Sequence, residues 1–320
     1  MEQCAVALKF TTPVHFGRRD SDLVSTAFWA ASDQLFGAIV SCFSTLYGNA
    51  ETAELLSHVD QGEFPFVTSS SFLMIDGERP MYFLPRPLGV RMELEGADAK
   101  KRKKISHVPI DVLESIAMGK AVTGYKLAGQ FLVPDWMDDS PVYEDEIPRV
   151  VLDSITASSN LFYMTAVRFA ENAGLYFFLD YEPKWERKIK AAIRYLGDEG
   201  LGGERTYGFG HFECDFRIAP DWHLDGDDRL LLSGYYPSDD ELESVKAGGV
   251  KSYRIRDTGG YIYSGGDTGL RKPWVKLFAE GAVLSFVPKG SLVDVTPSVF
   301  TRHRVYRSGL AYTLPWIGGN

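Results

Sequence analysis

The run from Asp198 to Gly210, DEGLGGERTYGFG, gathers residue types able to hold a ligand through main-chain groups. Five glycines fall within eleven residues: Gly200, Gly202, Gly203, Gly208 and Gly210. Arg205 and Tyr207 lie among them. An ordered glycine costs roughly 0.5–1 kcal/mol relative to alanine. A stretch that accepts this cost repeatedly lets a backbone or a ligand come close. Glycine-rich turns present N–H groups to phosphate oxygens, and an arginine beside them balances the charge.

Two nucleotide motifs do not fit. A dinucleotide fingerprint needs G-x-G-x-x-G opening a helix after a strand, and here Arg205 stands at the third glycine position. A phosphate-binding P-loop needs a lysine, which the run lacks. A closer match is the RNP1 signature of RNA-recognition domains. Arg205-Thr206-Tyr207-Gly208-Phe209-Gly210-His211-Phe212 agrees with it at five of seven defined positions. In that reading Tyr207 and Phe209 share one face of a strand as stacking platforms for bases. For acid–base chemistry the candidates are His15, next to Arg18 and Arg19, and His211. Asp20 and Asp22 read as loop and cap residues, and no histidine spacing marks a metal site.

These residues need elements to position them. Cys4 to Phe10 alternates as a strand, ended by Thr11-Thr12-Pro13, with a loop at His15-Phe16-Gly17-Arg18-Arg19. Ser32-Asp33 offers an N-cap for a helix to Tyr47, with Leu35, Phe36, Ile39, Val40 and Phe43 on one face and Gly48 as the stop. Phe66 to Ile75 and Met81 to Pro85 read as strands. The cationic run Lys100-Lys101-Arg102-Lys103-Lys104 reads as a projecting loop or hairpin. The acidic, proline-rich stretch Pro134 to Arg149 reads as a domain boundary. Leu161 to Ala170 and Leu175 to Tyr181 read as a hairpin turned at Glu171-Asn172-Ala173-Gly174. Pro183 starts a helix with Ile189, Ala192, Ile193 and Leu196 buried, and Tyr207 to Phe216 reads as a strand leaving the glycines. A strand–helix–strand plan in each half predicts an α+β fold of two ferredoxin-like (RRM-like) domains, over residues 1–140 and 141–320.

Composition sets outer bounds. The 320 residues are 45% hydrophobic and 24% charged, as in a soluble globular protein. No apolar run is long enough for a membrane span, and MEQCAVALKFTTP lacks the plan of a signal peptide. Three dispersed cysteines predict a reducing, cytoplasmic setting. A net charge of −9 opposes indiscriminate polyanion binding by the whole surface, so any nucleic-acid track must be local. The acidic stretches Asp135 to Glu146 and Asp221 to Glu243 read as docking surfaces or solvated faces.

A helix followed by G-L-G-G-E-R-x-x-G-x-G and a strand resembles the glycine-rich loop of the RAMP superfamily of CRISPR proteins. The segment before His15-Phe16-Gly17, the Ser32-Asp33-Gln34-Leu35-Phe36-Gly37-Ala38 helix start and the Leu161-Phe162-Tyr163 to Leu175-Tyr176-Phe177 strands agree with it. Within that superfamily the combination is most similar to the capping subunit of type III-A Csm effector complexes. The resemblance spans about Ala5 to Gly210. It implies two ferredoxin-like domains, an inserted thumb-like loop and no catalysis or cofactor. The role implied is holding the 5′ handle of the CRISPR RNA (crRNA) while docking on the large HD/Palm subunit and the repeating backbone RAMP subunit. Gly200, Gly202, Gly203, Arg205, Tyr207, Gly208 and Gly210 would face the RNA, with His15, Phe16, Gly17 and Arg18 alongside and Lys101, Arg102 and Lys103 on the thumb. Relatives often carry apolar-Asp-Arg at the start of the second half. Here the stretch is Leu152-Asp153-Ser154, so a basic residue is missing and Arg149 is the candidate replacement. RAMP folds also include metal-independent endoribonucleases, and His15 or His211 would serve that alternative.

Overall fold

The apolar alternation at the N-terminus forms β1 (Glu2–Phe10), which is an interior strand of its sheet rather than an edge. The computed structural model describes residues 1–17, 26–59, 64–96, 98–152, 159–264 and 267–317. Arg18, one of the expected RNA-facing residues, lies outside them, as do Arg19, Asp20 and Asp22. After β1 come helix α1 (Ser32–Ser57), β2 (Phe72–Ile75), β3 (Ala173–Tyr181), helix α2 (Glu186–Glu199) and β4 (Phe212–Arg217). These four strands lie side by side in the order β4-β1-β3-β2, all antiparallel, within a nine-stranded sheet. The plan is βαββαβ with a long insertion between its second and third strands.

β1 is buried on both faces, which accounts for its apolar content. Val6 and Leu8 pack with Leu35, Phe36, Ile39, Phe43, Ile189 and Ile193 of the two helices. Ala5 and Ala7 face the other way, toward Phe72, Tyr176, Phe178, Leu230 and Trp316. The helical pattern of the sequence holds, with Ile189, Ala192, Ile193 and Leu196 buried along α2. Gly48 breaks the first helical run with φ of 76°, and a further helical stretch then follows to Ser57. Asp33 does not cap α1. Ala31 is the cap residue, and its N–H donates to the Gln34 side chain at 3.1 Å.

The second half forms a smaller sheet from β5 (Asp228–Leu231), β6 (Val250–Ser252), β7 (Val283–Leu284) and β8 (Thr313–Trp316), in the order β6-β7-β5-β8 and again antiparallel. Counted by position within the unit, this order mirrors that of the first sheet. A helical turn covers the first crossover. An antiparallel pair, Gly290–Asp294 with Tyr306–Leu310, stands where the second helix would be.

A buried polar cluster joins the halves. Arg307 donates to the Asp33 carboxylate, to Thr258 Oγ1 at 2.5 Å and to the Gly259 carbonyl. Arg256 reaches Asp33 at 3.2 Å and Glu280 at 3.4 Å, and Ser70 Oγ donates to Glu280 at 2.5 Å. Burial alone would raise the Asp33 pKa, but the Arg256 and Arg307 charges and the Thr258 hydroxyl outweigh it and hold the carboxyl below its usual range.

Several expectations are corrected. A boundary at residue 140 does not divide two sheets, because β1 pairs along its length with β3 and β4, from residues 173–217. Main-chain pairing over seven registers outweighs the local proline and acid signal. The expected hairpin between 161–170 and 175–181 does not form. Ser159–Phe169 pairs instead with Val142–Leu152 through eleven registers as a separate ribbon, while β3 joins the main sheet. The cationic run is not a loop. Ala99–Lys104 is a short helix, started by Asp98, whose carboxylate accepts the Lys101 N–H at 2.7 Å.

Candidate nucleic-acid interface

The glycine loop is built by three strips of chain lying against one another. The strip after β1 is the middle one. Val14 exchanges both main-chain bonds with Val167 of the ribbon, at 2.9 and 2.7 Å. On its other side Pro13 accepts the Gly210 N–H at 2.8 Å, and His15 accepts the Gly203 N–H at 2.9 Å. His211 is tied in by its N–H to Thr12 Oγ1 at 3.0 Å, and its carbonyl accepts the Thr11 N–H at 2.9 Å.

This packing shows why side chains are absent. A Cβ on Gly202 would lie 2.6 Å from the His15 carbonyl oxygen, and one on Gly200 would lie 2.5 Å from the Phe209 carbonyl oxygen. A Cβ on Gly210 would meet the Leu201 main chain. The close neighbour is the protein's own backbone. The amides of Gly200, Gly203, Gly208 and Gly210 are likewise engaged, by Leu196, His15, Arg205 and Pro13 carbonyls. The expectation that these glycine amides are open to phosphate is therefore corrected at four positions. Gly208 alone of the five has nothing within 4 Å of a built Cβ on its surface side.

The run Arg205 to Tyr207 is a 3₁₀ turn, not the start of a strand, with left-handed residues at both ends: Glu204 at φ 58° and Gly208 at φ 80°. Tyr207 and Phe209 therefore do not share a strand face, and the RNP1-like geometry is not realised. Phe209 is buried against Met164 and Ala166 of the ribbon. Tyr207 stands 65% exposed. His15 and Phe16 are buried as well, and their side chains hold the loop rather than line its surface. His15 Nδ1 lies 2.8 Å from the Thr165 carbonyl, which accepts its proton. Phe16 N–H donates to Thr26 Oγ1 at 3.0 Å, and Gly17 pairs with Thr26.

What reaches the surface is a set of guanidinium–aromatic stacks. Arg149, from the ribbon strand Val142–Leu152, lies 4.6 Å from the Tyr207 ring centroid and 5.5 Å from that of Phe209. Its Nε is buried without a hydrogen-bond partner. Arg205 lies 4.6 Å over the ring of Tyr263, from the second half of the chain. A guanidinium face on an aromatic ring is attractive, and the rings of Tyr207 and Tyr263 remain exposed beside it. The arrangement suits unpaired bases with phosphates between them.

Lys101, Arg102 and Lys103 do not join this site. Their helix leads into His107–Pro109, five strand spacings across the sheet from β4, or about 24 Å at ~4.8 Å per strand. Arg102 instead meets Glu93 at 3.4 Å. Tyr263 escaped sequence reasoning. Its signal was the alternation Tyr261-Ile262-Tyr263 before a Gly-Gly turn, which marks two rings on one face of a strand.

Residues 224–316 match the family model described as the CRISPR Csm4 C-terminal domain. The protein "CRISPR system Cms protein Csm4" of Thermococcus onnurineus (strain NA1) is 27% identical over 296 residues, covering 88% of this chain and 90% of the relative. The fold matches a chain in the crystal structure of the Csm3-Csm4 subcomplex of the type III-A CRISPR-Cas interference complex, with a TM-score of 0.69, 19% identity and coverage of 98% of this chain and 99% of that one. It also matches a chain of the Csm1-Csm4 cassette in complex with cA4, with a TM-score of 0.62, 22% identity and coverage of 98% of each chain. By these similarities, in the second half and along nearly the whole length, the chain is Csm4-like, resembling the RAMP proteins of type III-A CRISPR systems.

Proposed function

We propose that this chain is a noncatalytic RNA-binding subunit of a type III-A Csm effector complex that holds the 5′ handle of the crRNA. The observation that carries this reading is the exposed loop edge where Arg149 stacks on Tyr207 and Arg205 on Tyr263. Two cations beside solvent-facing rings give a negatively charged, unpaired strand both charge balance and stacking. The large HD/Palm subunit and the repeating backbone RAMP subunit are the proposed partners. In support, related structures pair Csm4 with Csm1 and with Csm3. A −9 chain binds RNA better beside basic neighbours than alone, which fits a subunit acting in the cytoplasm within a complex. The strand order β4-β1-β3-β2 and its mirror β6-β7-β5-β8 support reading the fold as two ferredoxin-like units, the first extending to residue 217.

The nuclease alternative finds little support at His15. Its ring is 4% exposed and its Nδ1 is engaged by Thr165, so it lacks the access a general base needs. One experiment tests both readings. The chain, assembled with its partner subunits, is incubated in EDTA with RNA carrying a 5′ handle, and the RNA is followed for protection and cleavage. Protection without cutting is expected. Log affinity should fall with log salt at a slope of about −0.7 per phosphate contacted. A flat salt response would overturn the binding reading, and cleavage abolished by His15→Ala or His211→Ala would restore the nuclease.

A further inference from the structure

Tyr261–Ser264 and Asp267–Arg271 form an antiparallel hairpin in the second half of the chain, with Tyr261 opposite Arg271. Ile262 points inward and is buried. Tyr261 and Tyr263 point outward, and Tyr263 is 65% exposed. The Arg271 guanidinium lies 5.7 Å from the Tyr261 ring and 5.9 Å from the ring of Trp274, which is also exposed. Tyr263 is the ring beneath Arg205 of the glycine loop. Arg205 on Tyr263 thus joins the glycine loop, which carries the Arg149–Tyr207 contact, to the hairpin, which carries Tyr261 and Arg271 with Trp274 beside them.

Leaving the rings of Tyr261, Tyr263 and Trp274 exposed forgoes the hydrophobic burial that stabilises such side chains elsewhere. Protein-docking surfaces also use Tyr, Trp and Arg, but around an apolar centre that excludes water. Here the inward position of the strand holds the aliphatic residue, and each outward ring faces a guanidinium. Rings spaced two residues apart along a strand, each with a guanidinium against it, match the demands of successive bases and their phosphates.

We propose that this hairpin, with Trp274, is a stacking extension of the interface. It takes unpaired RNA nucleotides adjoining the segment held at the glycine loop, with little preference among bases. The assignment rests on the RNA-binding reading above and adds a second contact region from the other half of the chain.

The test uses the full chain and oligouridine of about ten nucleotides carrying 4-thiouridine, at low salt. Photocrosslinks are mapped by mass spectrometry, and affinity is read by fluorescence anisotropy. Crosslinks are expected at Tyr261, Tyr263 or Trp274. The Tyr261→Ala/Tyr263→Ala pair should lose roughly ten-fold in affinity per ring, and Tyr263→Phe should keep most of it. Loss of affinity in Arg149→Ala/Arg205→Ala, with wild-type affinity and no crosslinks at the hairpin, would overturn the extension and leave the RNA reading standing. Wild-type affinity in both double variants would overturn the RNA reading itself. Normal RNA affinity in the tyrosine pair, together with failure to co-purify with other complex subunits, would assign the hairpin to protein docking and overturn the proposal. The wild-type crosslinks decide the matter if the tyrosine pair fails to fold.

Discussion

Replacing Gly202 with alanine and, separately, Gly208 with alanine separates the structural duty of the glycine loop from its ligand-facing edge. Both positions have positive φ, 105° and 80°, so any L side chain brings strain there. That strain is about 1–2 kcal/mol at each. At Gly208 nothing else follows, because a Cβ there has no neighbour within 4 Å. At Gly202 the Cβ would overlap the His15 carbonyl oxygen at 2.6 Å. Moving that carbonyl also breaks the bond it accepts from the Gly203 N–H, worth about 1 kcal/mol more. The overlap adds to this, so Gly202→Ala should lower the opening free energy of the loop by about 3 kcal/mol and Gly208→Ala by about 1 kcal/mol. Hydrogen exchange of the peptide spanning residues 200–212 reads that opening directly. Exchange should speed up by over ~100-fold in the first variant and ~5-fold in the second, at 1.4 kcal/mol per decade. Equal acceleration in the two variants would refute the claim that the loop is glycine-rich to fit its own backbone. By the same geometry, bulky residues at Gly202 would remove RNA by unseating the loop, with or without a direct RNA contact.

Asp33→Asn should cost about 3–5 kcal/mol in urea denaturation, since it leaves Arg307 buried without the charge it faces and leaves Arg256 only Glu280. The folded Asp33 pKa lies below its unfolded value of about 3.9. Its stabilisation is therefore complete above that value and is lost as pH falls through the folded pKa, so the gap between wild type and variant should close in acid. Arg149→Ala should weaken RNA binding by about 2–30-fold, from loss of one cation–π stack, and Arg149→Lys should restore only part of it. A lysine that restored full affinity would show that charge alone matters. Burial, and then the nearby Arg254 charge, push the His107 pKa down to about 4. Its imidazole NMR shifts should stay flat from neutrality to about pH 5. The unfolded chain takes up that proton first, so this residue makes stability decline as pH drops from about 6.5 toward the folded value. A titration midpoint near 6.5 in the folded protein would contradict its burial.

Local periodicity made β1, α1, α2 and the break at Gly48 legible in the sequence, because each is decided by residues within a few turns of itself. The glycine loop was legible as a place of close approach by a backbone or a ligand, but not which of the two approaches. A Cβ clash with His15 cannot be inferred from Gly202, since 187 positions separate the two in the sequence. Strand partnership failed for the same reason. Leu161 to Ala170 has the composition of a strand, yet only register with Val142–Leu152 reveals that it leaves the main sheet. Asp33 looks like a cap residue because Ser-Asp before an apolar run is a common helix start. Its real partners, Arg256 and Arg307, come from the far half of the chain. The basic run was legible as charge, but its helix depends on Asp98 accepting the Lys101 N–H. Arg149 could be named only as a candidate replacement for a missing cation, and its ring partners make it a member of the site.

The interior place of β1 in its sheet also shapes how a ribosome must deliver this chain. The first strand emerges early, yet the strands that flank it, Ala173–Tyr181 and Phe212–Arg217, are made some two hundred residues later. At about 5–20 residues per second the wait is on the order of 10–40 s. Throughout that time an apolar segment with two unsatisfied edges has no native strand partner, and α1 is at hand to cover one of its faces. Assembly of the sheet is thus a late event that closes around a strand made long before its neighbours, and a holdase acting on nascent chains would find its target in β1.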